Sequence, residues 1–219
     1  MPVILEISMS LDGFVAGANV SIDNPMGDGG ERLHDWLFGA KTPADSAIVA
    51  DLLGHLGAVI MGRRTFDVGE RPWGDDPPFP APTFVLTHRP RPPVVKKGVT
   101  IGFVDRGIEA ALALAKQAAG DKTVLIMGGA SVARQYLKAR LIDEMHIHLA
   151  HQLLGDGARL FEEVGALPLH KVKTVESTAV THIKFRMRGS AVVGENSKRP
   201  RICKARAAGS RSSSCAWAT

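Results

Sequence analysis

Residues 124–137 read V-L-I-M-G-G-A-S-V-A-R-Q-Y-L, an unbroken apolar run that meets two glycines and passes directly into a helical pattern. Four consecutive aliphatic residues bounded in this way predict a strand buried on both faces, and such a strand needs covering helices. Val132, Ala133, Tyr136 and Leu137 then fall on one side of the following helix. Gly128 and Gly129 stand at the carboxyl end of the strand, where glycine lets the atoms of another molecule approach the backbone. The helix behind them aims its free N–H groups and positive dipole end at the turn. This is the chemistry of a phosphate or pyrophosphate site. A plain strand-helix junction without a ligand is written in the same letters.

The arrangement recurs. Ala58 to Met61 is a second apolar run, followed by Gly62-Arg63-Arg64-Thr65-Phe66, and Thr83 to Thr87 ends in His88-Arg89. In an open α/β sheet, ligands bind at the carboxyl ends of parallel strands. Two glycine turns with helix starts, and arginines at two of the three strand ends, suit an extended anionic ligand. Neither G-x-G-x-x-G nor a P-loop is present. Spacing alone therefore reaches only a nucleotide-like anion, and solvated surface arginines are the alternative.

The remaining elements surround these three strands. Val3 to Met9 predicts a first strand, Ser10-Leu11-Asp12-Gly13 a turn, and Phe14 to Ala16 a short extended piece. Residues 17–30 read as a loop and Glu31 to Phe38 as one short helix. Thr42-Pro43 is a helix start with a capping threonine and proline at the first position. That helix runs to about Leu56, with an apolar stripe of Ile48, Leu52 and Leu56. Arg71 to Pro82 is irregular, Val99 to Phe103 a strand, and Ile108 to Ala119 a helix. Ile142 to Leu149 is an alternating strand, and Leu169–Glu176 with Ala179–Arg188 forms a terminal hairpin. Strands separated by helices predict an α/β fold with a mixed, mainly parallel sheet, closed by an antiparallel hairpin.

The formal net charge of +5 belongs to the C-terminal end of the chain. Beyond Arg188 there are six basic residues and one acidic one, so the first 188 residues are formally neutral and offer no nucleic-acid surface. Residues 189–219 are rich in Ser, Ala, Arg and Lys and predict a disordered basic tail. Both cysteines, Cys203 and Cys215, lie there. A cysteine-free body, no membrane-length apolar run and no basic leader segment together predict a cytoplasmic protein.

G-R-R-T-F after a strand, then L-T-H-R, then I-M-G-G-A-S-V, is a succession that resembles the dihydrofolate reductase fold. The opening S-L-D-G-F-V-A and the late H-I-H-L-A-H-Q-L-L-G-D-G-A-R-L-F are similar to one branch of it. That branch is the C-terminal reductase domain of the bifunctional riboflavin-biosynthesis deaminase-reductase. The resemblance covers residues 1–188 and implies NADPH as cofactor, a small-molecule substrate and a homodimer. It implies that Gly62, Arg63, Arg64 and Thr65 hold the adenosine ribose phosphate and pyrophosphate. It places Thr87, His88 and Arg89 beside the adenosine end. Gly128, Gly129, Ala130, Ser131 and Val132 cradle the pyrophosphate and the nicotinamide side.

Two carboxylates are catalytic candidates. Asp12 lies in the S-L-D-G segment that borders the substrate in the riboflavin branch, although Asp-Gly is also an ordinary turn. Asp45 falls about where dihydrofolate reductases carry their helix carboxylate, although it is also a first-turn acid that favours the helix dipole. His146 and His148 share a strand face. With no further ligand at clear spacing, they read with His151 as polar sheet-surface or dimer-contact positions and not as metal ligands. Trp36 and Trp73 read as packing residues. No H-x-E or P-C-x-x-C zinc signature is present, so no deaminase half is encoded here. The expected activity is that of an NADPH-dependent reductase, like 5-amino-6-(5-phosphoribosylamino)uracil reductase. A dihydrofolate reductase, or a non-catalytic nucleotide-binding regulator of the same fold, are the alternatives.

Overall fold

The structure is a computed structural model that describes residues 1–187; the tail predicted over 189–219 lies outside them. Nine strands form one sheet: β1 (Val3–Ser10), β2 (Leu56–Gly62), β3 (Thr83–Leu86), β4 (Val94–Lys96), β5 (Val99–Val104), β6 (Thr123–Gly128), β7 (Glu144–Ala150), β8 (Leu169–Glu176) and β9 (Val180–Met187). Their spatial order is β4-β5-β3-β2-β6-β1-β7-β9-β8. The five strands from β5 to β1 run parallel, as does β7 beside β1. The edge strand β4 and the terminal hairpin β8–β9 are antiparallel.

The helices are α1 (Asp35–Phe38), α2 (Pro43–His55), α3 (Arg63–Trp73), α4 (Gly107–Ala119) and α5 (Ala130–Lys138), with a 3-10 turn at Gly30–His34. On one face, α4 and α5 bury Ala111, Ala115, Ala133, Tyr136 and Leu137 against Leu5, Ile60, Ile126, Met145 and Ile147. On the other, Phe66 of α3 and Leu52 of α2 join Val59, Met61, Val85, Ile101 and Leu125. This second face changes character along the sheet. Over β3, β2 and β6 it is apolar; over β1, β7 and β9 it carries Glu6, Ser8, His146, His148 and His182. Alternation explains the change, because Met145, Ile147 and Leu149 of β7 point to the first core and the intervening histidines point away.

Two expectations need correction, and one strand, β4, carried no expectation. Glu31 to Phe38 is not one helix but the 3-10 turn followed by α1. The strand β4 follows the R-P-R-P-P segment, where prolines gave no strand signal; as a sheet edge it tolerates them. The expected apolar stripe of α2 stays half-buried at Ile48 and Leu52, and the fully buried residue of that helix is Asp45. No helix among the described residues is long and apolar enough to cross a membrane.

Candidate active site

The carboxyl ends of β2, β3 and β6 lie side by side, with Gly62 level with Leu86 and Met61 level with Gly128. All the residues expected to hold a cofactor gather there. Gly62 is the N-cap of α3 and Gly129 the N-cap of α5. The two turns touch: the Gly129 N–H donates to Thr65 Oγ1 at 2.8 Å. A Cβ on Gly62 would meet Val132 Cγ2 at 3.1 Å, and one on Gly129 would meet Thr65 Oγ1 at the same distance. Gly128 has φ of +112°, a conformation that L side chains rarely adopt, and its peptide bond to Gly129 is cis.

Neither helix start has a side-chain cap or a first-turn acid. By contrast, α2 has a full capping box with Asp45, and α4 carries Glu109 in its first turn. Two adjacent N-termini without first-turn acids leave their amides and positive dipole ends for an external anion. The arginines stand at the rim. Arg63 Nε donates to Asp67 at 2.7 Å, its Nη1 donates to the Arg89 carbonyl at 3.0 Å, and its guanidinium lies over the Phe103 ring. Arg64 donates to the Val20 carbonyl at 2.7 Å and so ties the 17–30 loop to α3. Thr87 Oγ1 accepts from the Arg89 N–H, while His88 and Arg89 are exposed. Ala130 and Val132 are buried, and Val132 belongs to the core, so the latter offers the cradle its backbone alone.

Asp12 and Asp45 lie on the other side of β6, and both carboxylates are committed to donors of the chain. Asp12 accepts from Ser10 Oγ, from Gly155 N–H at 2.7 Å and from Leu154 N–H at 3.2 Å. The Ser10 hydrogen bond and these amides hold it down at about 2 despite some desolvation. It clamps the 153–157 connection to the end of β1. Asp45 Oδ2 accepts from Thr42 N–H, Thr42 Oγ1 and Ser177 Oγ, and Oδ1 faces His182 Nε2 at 2.9 Å. Burial pushes its pKa up, but the Thr42 N–H, His182, the Thr42 hydroxyl and Ser177 outweigh it and bring it to about 2. Thr42, Pro43, Ala44, Glu176, Ser177 and Thr178 line an open depression of about 580 Å³ beside it. That depression lies at the β8–β9 turn and not over the glycine cradle.

His148 departs from the surface role expected of it, whereas His146 is half-buried and His151 exposed. His148 is buried, 2.8 Å from His182 Nδ1 and 3.1 Å from Glu6 Oε1. His182 was not singled out in the sequence, and an alternating β9 carried no signal for it. His151 is exposed and faces Thr181 Oγ1. Trp36 packs as expected: its indole donates to Ser8 Oγ and its ring centroid lies 4.3 Å from that of His148. Trp73 packs on Phe66 and Gly69.

Mixed sheet, paired glycine turns and the antiparallel hairpin together define a dihydrofolate reductase-like domain. Residues 2–183 match the RibD C-terminal domain family, and the chain belongs to it. Two Bacillus subtilis relatives are uncharacterised proteins. YyaP is 25% identical over 170 residues, 74% of this chain and 81% of its own length; YwjB is 29% identical over 164 residues, 74% and 83%. Among solved structures, a Shewanella sp. PV-4 protein named for riboflavin biosynthesis superposes with a TM-score of 0.65 at 27% identity, over 86% of this chain and 99% of that one. Dihydrofolate reductase from Enterococcus faecalis, complexed with NADP(H) and RAB-propyl, superposes with a TM-score of 0.57 at 16% identity, over 85% and 96%, a likeness of fold.

Proposed function

We propose that this chain is an NADPH-dependent reductase acting on a C=N or C=O carbon of a small heterocyclic or sugar-linked compound, in the manner of the pyrimidine reductases of riboflavin synthesis. One observation carries the reading. The starts of α3 and α5 are uncapped, free of acids and joined through Gly129 and Thr65, whereas α2 is fully capped. That donor set fits a pyrophosphate.

In this reading the first-turn amides of α3 and α5 bind the pyrophosphate, and Gly62 and Gly129 allow its close approach. Arg63, Arg64 and Arg89 supply fixed charge for a 2′-phosphate, and Arg63 is already held in place by Asp67 and the Arg89 carbonyl. A bound reduced nicotinamide supplies the hydride; the protein supplies its orientation. Asp12 acts as a positioning residue that fixes the 153–157 connection beside the cradle. Asp45 positions Thr42 and Ser177. The commitment of both Asp45 oxygens argues against a dihydrofolate reductase whose helix carboxylate meets the substrate directly. Resemblance supports a homodimer.

NADPH and NADH titrations followed by cofactor fluorescence test the proposal. The wild type should bind NADPH more tightly than NADH. Gly129→Val should stay folded, since φ at Gly129 is −69° and the added Cβ meets only the Thr65 hydroxyl, at 3.1 Å, and should lose NADPH binding. A folded Gly129→Val protein with unchanged affinity, or a wild type that binds neither cofactor, overturns the reading. NADPH binding without oxidation across a panel of C=N and C=O substrates favours the non-catalytic regulator.

A further inference from the structure

Glu6, His148, His182 and Asp45 form an unbroken chain of side chains across the second face of the sheet. Their side chains are 8%, 4%, 5% and 2% exposed. The contacts run Glu6 Oε1 to His148 Nε2 at 3.1 Å, His148 Nδ1 to His182 Nδ1 at 2.8 Å, and His182 Nε2 to Asp45 Oδ1 at 2.9 Å. Hydrogen counting constrains their charge. Each Nε2 faces a carboxylate and must carry a hydrogen. The two Nδ1 atoms face one another within hydrogen-bond distance, so one of them must carry a hydrogen too. Three hydrogens on two rings is one more than two neutral imidazoles hold.

We propose that His148 and His182 share one extra proton, forming a buried monocation between Glu6 and Asp45 that latches the start of α2 and the β8–β9 turn to the sheet. The extra charge resides on His148, which faces Glu6 and lies against the Trp36 ring. Burial first, and then the charge on His148, hold His182 below the ordinary histidine range against the pull of Asp45, so the pair does not take a further proton at neutral pH. A pair without the shared proton would set two lone pairs face to face, or a lone pair against a carboxylate. Either arrangement loses a hydrogen bond and leaves two buried carboxylates without that counter-charge.

Other ionisable groups around the pair come from each neighbouring element. From β1, Glu6 also faces His146 at 3.4 Å; from β7 and β9, Glu144 is paired with Lys184 at 2.6 Å. His34 of the 3-10 turn senses His148 and is pushed down by burial first. The far end of the chain reaches Thr42 and Ser177, whose hydroxyls are 3.0 Å apart on the wall of the 580 Å³ depression. Loss of the shared proton therefore loosens that wall, and its presence holds Thr42 and Ser177 together there.

The test is imidazole-nitrogen NMR on the full, isotopically labelled chain between about pH 6 and 9, a range that brackets ordinary histidine titration. His148 is expected to show two protonated nitrogens and His182 a protonated Nε2, with a resonance coupling the two Nδ1 atoms. Loss of that proton should coincide with faster amide exchange at Asp45 and Ser177, beyond the intrinsic pH dependence. His148→Gln, which keeps hydrogen-bonding groups and cannot carry charge, should abolish the pH-linked step. Two neutral rings throughout the range, or the same exchange profile in His148→Gln, would overturn the proposal. Should that variant fail to fold, the wild-type protonation pattern decides alone, and Glu6→Gln should release the shared proton at lower pH. No cofactor enters the measurement, so its failure is separate from failure of the reductase reading.

Discussion

Asp45 shows how one residue can be legible and misread together. T-P-A-D announces a capping threonine and a first-turn acid, and the capping box is present. Its burial was not legible, because Ser177 and His182, which complete its shell, lie 132 and 137 residues away. Asp45→Asn keeps the shape, removes the charge opposite His182 and should cost about 3 kcal/mol, the scale for breaking a buried pair. Urea denaturation checks it. Glu6 behaves alike: burial raises its pKa, but the hydrogen bonds from His146 and His148 prevail and hold it at about 2. Both carboxylates are depressed in the folded state. Their stabilisation is complete above the unfolded carboxylate range and is lost as pH falls from about 4 toward 2. His34 and His182 are also depressed, so their contribution is present above about pH 6.5 and declines below it. Acid unfolding should accordingly begin with the histidines, and Asp45→Asn should flatten the lower part of the stability curve.

At the scale of elements, long periodic segments were readable and short edge pieces were not. Strands β2, β3, β5 and β6, and helices α2, α4 and α5, stand within a few residues of where hydrophobic pattern and caps placed them. The three-residue β4 and the polar second face were hidden, since an edge strand has little pattern and a buried histidine looks like an exposed one. The pairing of α3 with α5 was equally invisible: nothing local says that Thr65 will accept from Gly129. Thr65→Val removes that acceptor with little change in shape. It should cost about 1 kcal/mol in stability. On the reductase reading it should also weaken NADPH by about tenfold or more, because the two helix starts lose their alignment. Thermal unfolding paired with cofactor titration separates the two effects. A Thr65→Val protein with wild-type stability and affinity would show that the two turns are independently placed.

For the whole molecule, charge and fold are separable. The formal excess of +5 resides beyond Arg188, and the family match ends at residue 183. Deleting residues 189–219 should leave the melting temperature and NADPH affinity unchanged while lowering the isoelectric point. A large fall in melting temperature would show that the segment packs on the domain. The place of β1 in the sheet has a different consequence, one that concerns synthesis. Val3 pairs with Val124 on one side and Ile4 with Glu144 on the other. Strand β1 leaves the ribosome before either partner and must wait for both, and its apolar V-I-L segment stays unsheltered meanwhile. Chains truncated before Thr123 should leave residues 3–10 open to protease, and chains that reach Met187 should protect them. In a nascent chain of this topology, β1 thus stays without its sheet neighbours for as long as residues 123–150 are still being translated.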